Sequence, residues 1–194
     1  MLPVVAYHAG LAAVPGGFAG VDVFFVISGF LITGIIAEEA EAGRFSIGRF
    51  YERRARRILP ALFFMMLVTI ICALPFMVPY QLEDLAQSVV ATLLFLSNVL
   101  FWFEADYFAV EAASKPLLHT WTLAVEEQFY VVAPLVLALL FRIDRRLVIP
   151  VLTVGAVASF GLALAHARSA PSATFFLIQF RAWELLVGSL AALW

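Results

Sequence analysis

Apolar residues in this chain come in long runs separated by short polar or charged interruptions, and most runs have the length of a membrane crossing. After a Pro-Gly-Gly turn at Pro15 to Gly17, one run extends from Phe18 to Ala37; it ends in Glu38, Glu39 and Glu41, with Gly43 as a C-terminal stop. A basic stretch interleaved with aromatic and aliphatic residues follows, and its pattern predicts an amphipathic segment lying along a membrane interface. Further apolar runs cover Pro60 to Val78, Leu85 to Phe103, Leu117 to Phe141, Leu147 to Ala165 and Ala173 to Trp194. A polar loop holding Glu104, Asp106, Glu111 and Lys115 separates the second of these from the third. The pattern predicts an all-α, polytopic transmembrane helical bundle forming a single domain over residues 1–194.

Charge placement alters that picture at one point. Of eleven arginines, six lie between Arg44 and Arg57 and three between Arg142 and Arg146. Arginine-rich loops stay in the cytoplasm. Three plain crossings after Arg57 would carry Arg142, Arg145 and Arg146 to the outside, so one of the three runs does not cross. The weakest is Leu85 to Phe103, which contains Thr92, Ser97 and Asn98. The region from Gln81 to Lys115 is therefore expected to dip into the membrane and return on the outer side. Irregular backbone at such depth requires cover from protein or a wet cavity.

Composition agrees with a membrane protein. Apolar residues make up 64% of the chain and charged ones 13%, with a mean hydropathy of +1.00. The single cysteine, Cys72, excludes an internal disulfide and reads as a small buried hydrophobe. The first run, Met1 to Val14, is shorter than a spanning helix and carries no basic region or cleavage site of a signal peptide. It is expected to belong to a longer helix that begins before Met1, and the apolar run reaching Trp194 is expected to continue beyond it.

Against this apolar background the ionisable residues stand out as candidate chemistry. His8 lies in the middle of the first run, where a neutral imidazole could be a general base or merely hydrogen-bond a neighbouring helix. Asp22 begins the second run, where it is expected either to cap the helix or to need a partner, the orienting of a histidine being one option. His119, Thr122 and Glu126 follow helical spacing at i, i+3 and i+7, with Glu127 and Tyr130 on a neighbouring face. Arg181 and Glu184 are one turn apart, and could hold an anionic cofactor group or form an ion pair within their own helix. Ser28, Gly29 and Gly34 read as helix-packing positions, and His166 as interfacial. Zinc, Walker, nucleophile-elbow and dinucleotide signatures are absent, so no metal is expected. No nucleic-acid partner is expected either, because the arginine cluster flanks a membrane helix and reads as a surface for lipid or an anionic cofactor.

Five ordered segments carry a family resemblance: YHAG (Tyr7 to Gly10), GGFAGVDVFFVISGFLIT (Gly16 to Thr33), FYERRARRILPAL (Phe50 to Leu62), LLHTWTLAVEEQFY (Leu117 to Tyr130) and FRAWELLVGSL (Phe180 to Leu190). Together they resemble acyltransferase family 3, the integral-membrane bacterial O-acyltransferases. The resemblance implies transfer of an acyl group, usually acetyl, from acyl-coenzyme A to a hydroxyl of an envelope or exported polysaccharide at the bacterial inner membrane. It implies His8 as the general base or acyl relay, and functional roles for Asp22, His119, Glu126, Glu127, Arg181 and Glu184. Thr122 stands where a serine is common, and an arginine expected upstream of His8 would precede Met1. Arg53, Arg54 and Arg57, on the expected cytoplasmic face, are placed to attract the phosphates of coenzyme A. Two alternatives remain open at this stage: a proton-coupled transporter or flippase, which also needs buried histidine and carboxylates, and an inactive fragment of the acyltransferase.

Overall fold

In a computed structural model that describes residues 19–105 and 115–194, the apolar runs form eight α-helices among the described residues. They are α1 (Gly20–Glu41), α2 (Ile47–Ala73), α3 (Pro79–Leu93), α4 (Ser97–Ala105), α5 (Thr120–Ile143), α6 (Val148–His166), α7 (Pro171–Phe176) and α8 (Ile178–Ala191). Five stretches are long and apolar enough to cross a membrane: α1, α2, α5, α6 with the 3-10 turn that leads into it, and α7 joined to α8.

The end of α1 follows from its sequence. Gly43 adopts a left-handed φ of +65°; its N–H donates to the Ala40 carbonyl at 3.0 Å, and that of Arg44 to the Glu39 carbonyl at 2.8 Å. This is a Schellman closure, which glycine enters without steric penalty. The next element departs from expectation. The basic stretch does not lie apart along an interface: α2 runs unbroken from Ile47 through Pro60 to Ala73. Pro60 deprives the Arg56 carbonyl of its helical donor, but Pro60 and Arg56 are exposed, so that carbonyl can be served by water or headgroups. Cys72 is also exposed, because this end of α2 turns much of its surface toward the surroundings instead of the core.

Contacts along the helices give their directions. Phe25 meets Trp121 and Ser28 meets Glu126, so α1 and α5 run parallel. Asp22 meets Arg181 and Gly29 meets Leu185, so α8 is parallel to both. At the far end Glu39 pairs with Arg53 at 2.8 Å and Glu41 with Arg145 at 2.6 Å. The two arginine-rich segments thus lie at one end of the bundle, as their common preference for the cytoplasm requires.

Between α2 and α5 the chain does not cross. Helices α3 and α4 have 15 and 9 residues, too few for a span. They meet at residues 94–96, where the Gln128 side chain of α5 reaches the Phe95 carbonyl. The start of α3 approaches Lys115 and Pro116, and Lys115 pairs with Glu104 at the end of α4. Both outer ends of the pair therefore return to the side from which α5 begins, as the expected re-entrant path requires. Phe95 closes α3 in a left-handed conformation at φ +53°, in a second Schellman arrangement with the Phe95 N–H on Thr92 and the Leu96 N–H on Ala91. For a bulky residue that conformation costs on the order of 1–3 kcal/mol.

The core lies where α1, α5 and α8 converge, around Phe25, Trp121, Val125, Phe129 and Leu185. The approach of α1 to α8 is exceptionally close: a Cβ on Gly29 would lie 1.9 Å from the Leu185 carbonyl oxygen, and one on Gly188 1.9 Å from that of Val26. Gly29 and Gly188 permit this contact by having no side chain. Gly34, expected to pack in the same way, has open space around it.

Candidate active site

Helix α5 carries Glu126, Glu127 and Gln128 in succession, and each step of 100° aims the side chain at a different neighbour. Glu126, 5% exposed, turns to α1, where Ser28 Oγ donates to its Oε1. The Tyr130 hydroxyl donates to the same oxygen at 2.9 Å from one turn further along. Glu127 turns to α2, where the Arg54 guanidinium lies 3.7 Å from its Oε1. That separation is an ion pair and too long for a hydrogen bond. Arg54 also lies 4.2 Å over the Tyr130 ring, a cation–π contact. Among the described residues neither Arg54 Nε nor Glu127 Oε1, both buried atoms, has a hydrogen-bond partner. Gln128 turns to the re-entrant break.

Arg54, Glu127 and Gln128, but not Glu126, border a cavity of about 600 Å³ between α2, α5 and the break at residues 94–96. Arg54, Glu127 and Gln128 are its charged and amide groups; Ile58, Leu94 and Val131 are typical of the rest of its wall. A mostly apolar recess with a few convergent polar groups is the usual form of a small-molecule site.

A second polar cluster joins the starts of α1 and α8. Arg181 Nη1 lies 2.9 Å from Asp22 Oδ1 and 2.7 Å from Glu184 Oε1, while its Nε donates to the Phe175 carbonyl at 3.1 Å. Its guanidinium is 5.3 Å from the Phe175 ring and 5.8 Å from that of Trp121. Glu184 is 1% exposed, and its second oxygen has no partner among the described residues. One arginine between two carboxylates makes this a built electrostatic centre, and Arg181 is the partner that Asp22 required.

The structure separates other residues that the spacing had grouped. His119 does not join Glu126: it is the exposed N-cap residue of α5, and the Thr122 hydroxyl donates to its carbonyl at 3.0 Å. The protein around its ring still holds the imidazole pKa below the ordinary value, opposed by a hydrogen bond with the Pro116 backbone. The three arginines assigned to an anionic cofactor also divide. Arg54 faces the cavity, Arg53 pairs with Glu39 on the surface, and Arg57 is exposed. His166 is exposed at the end of α6 with its ring 5.5 Å from that of Phe180. His8 lies outside the described residues. Ser28, Asn98 and the Phe95 turn were not singled out as site residues from sequence, because their importance comes from helices remote in the chain.

The comparisons with known proteins bear on the whole length. A family model described as an acyltransferase domain, the third of that name, matches residues 1–194. A Haemophilus influenzae protein described only as uncharacterized is 38% identical over 184 residues, covering 89% of this chain and 74% of its own. The O-acetyltransferase OatA of Staphylococcus aureus is 35% identical over 199 residues, covering 99% of this chain. The peptidoglycan O-acetyltransferase OatA of Listeria monocytogenes is 33% identical over 201 residues, covering 100% of it. The chain spans 32% of the length of each of these two O-acetyltransferases. No solved structure matches at a significant level. With its motifs in order, its helices those of a multi-pass membrane protein and its full length matched, the chain belongs to acyltransferase family 3.

Proposed function

We propose that this chain supplies the membrane domain of a bacterial O-acyltransferase that moves an acyl group, acetyl by preference, from acyl-coenzyme A to a hydroxyl of an envelope polysaccharide. Family membership supports the reaction class, and the Listeria relative, by its name, acts on peptidoglycan. The observation that carries the donor assignment is the cavity beside Arg54, which connects a cationic group to an apolar recess within the bundle. Arg53 and Arg57 are exposed on α2 outside the cavity, where they attract the phosphates of the donor. Arg54 then meets the polar part of the acyl-bearing arm deeper in. By the positive-inside rule the basic end of the bundle faces the cytoplasm, in keeping with an inner-membrane location.

In the reaction the acceptor oxygen attacks the thioester carbonyl, a C–O bond forms, and the C–S bond breaks. The acceptor proton passes to a general base and then to the departing thiolate, and His8 is the residue suited to that relay. Developing negative charge on the carbonyl oxygen needs a fixed donor, a part for which Arg181, held by Asp22 and Glu184, is preorganised.

The test uses the full-length protein in membranes of a host lacking related enzymes, following labelled acetyl from acetyl-coenzyme A into polysaccharide. Wild type is expected to incorporate label, and His8→Ala to abolish incorporation with insertion unchanged. Incorporation that survives the substitution would remove His8 from the mechanism. A well-inserted wild type that transfers nothing from several acyl donors would overturn the proposal.

A further inference from the structure

Two side chains that the proposed chemistry leaves idle, Asn98 and Gln128, join the two places where helices break inside the bundle. Gln128 Nε2 donates to the Phe95 carbonyl at 2.9 Å and to Asn98 Oδ1 at 2.8 Å. Asn98 Nδ2 donates in turn to the Phe176 carbonyl at 3.1 Å. Phe95 lies at the break between α3 and α4, and Phe176 is the last residue of α7 before Leu177 leaves the helical conformation. A helix that ends within a bundle leaves carbonyls without their intrahelical donors, and in a membrane those groups depend on protein partners. Asn98 is 0% exposed, so its amide serves the protein interior alone.

Both breaks border the cavity, one through residues 94–96 and the other through Ile178. Phe95 is also held left-handed, a conformation that persists in a bulky residue only when its surroundings impose it. We propose that Asn98 and Gln128 form an amide clamp that fixes the two breaks against α5 and thereby sets the shape of the donor cavity opposite Arg54. Asn98 is a positioning residue that acts through the turn. Gln128 both fastens the turn and lines the cavity. The proposal rests on the reading of that cavity as the donor site.

The test compares full-length wild type with Asn98→Ala, Gln128→Ala and Thr92→Val. The last removes a buried side-chain hydrogen bond from α3 to Thr120, 3.0 Å long, and leaves in place the Thr92 carbonyl that accepts the Phe95 N–H at the break. Steady-state acetyl transfer is measured against acetyl-coenzyme A concentration, and amide hydrogen exchange is read in detergent. Both amide variants are expected to raise the donor KM about tenfold with kcat within about threefold, the scale of one or two lost hydrogen bonds at a buried carbonyl. Exchange over residues 94–100 should accelerate about as much in those two while α6 is unaffected, and Thr92→Val should leave the donor KM near wild type. A donor KM within twofold of wild type in both amide variants would overturn the clamp. So would unchanged exchange at the break, or a uniform loss shared with Thr92→Val. If wild type transfers no acetyl, the donor reading fails on its own, and the exchange measurement still decides whether the two amides hold the break.

Discussion

At the scale of single residues, Arg54 and Glu127 show what their neighbours make of them. Arg54 belongs to a run of arginines that all read alike in sequence, yet it alone among Arg53, Arg54 and Arg57 lines the cavity, where it faces Glu127. With side-chain exposures of 19% and 13%, neither charge is well hydrated. Removing one partner leaves the other without compensation, which in buried pairs costs about 3–5 kcal/mol, whereas replacing both by apolar residues is often close to neutral. Arg54→Met is therefore expected to lower the thermal midpoint in detergent markedly, and Arg54→Met combined with Glu127→Met to recover much of the loss. A double variant that is additive would mean that the two side chains do not interact, which the 3.7 Å separation argues against. Glu126 differs from its neighbour: its oxygen is engaged by two hydroxyls, of Ser28 and Tyr130, a bond set suited to locking α1 onto α5.

At the scale of elements, the α1–α8 contact is decided by backbone proximity. Alanine at position 29 or 188 would drive a methyl group into the main chain of the facing helix, with no flexible side chain to yield. Overpacking of this kind costs about 1–3 kcal/mol or more, and here it would also part Asp22 from Arg181. Gly29→Ala and Gly188→Ala should each destabilise the folded protein by at least about 2 kcal/mol in a detergent melt. Gly34→Ala, with nothing within 4 Å, should be neutral or stabilising by up to about 1 kcal/mol through better helix propensity. Equal effects at positions 29 and 34 would refute the close packing. The short helices α3 and α4 follow a different rule. They lack the length to span, and their stability comes from the partners that their ends and break find on α5 and α7.

For the whole molecule, direction and charge give a definite topology. The ion pairs Glu39–Arg53 and Glu41–Arg145 put both basic segments at one end, while Lys115 and the start of α3 lie at the other. Cysteines introduced singly at Ser46, Arg145, Gln81 and Lys115, in a chain with Cys72 replaced, should divide two and two in reaction with an impermeant thiol reagent. Ser46 and Arg145 should label from the cytoplasmic face, Gln81 and Lys115 from the opposite one. Labelling of Arg145 and Gln81 from one side would mean that the re-entrant pair crosses after all.

The sequence by itself determined the fold class and the topology. Long apolar runs exceed what a soluble domain carries, and arginine placement is a sum over loops that needs no contacts to evaluate. Even the re-entrant pair was legible, as a conflict between counted crossings and counted charges. Gly43 as a helix stop and the Arg181–Glu184 pair were legible too, because both depend on residues within one turn. The tertiary structure alone decided which residues share a site. Spacing put His119, Thr122 and Glu126 on one stripe, but a stripe along α5 passes from an exposed end to a buried middle, and its members meet different surroundings. Arg54 separated from Arg53 and Arg57, Gly29 from Gly34, and Cys72 from the core by which face each presents to another helix, information that periodicity within one segment does not contain. The pairing of Ser28 with Glu126 and of Asp22 with Arg181 spans 98 and 159 residues of chain, and only the packed bundle brings those groups within reach of each other.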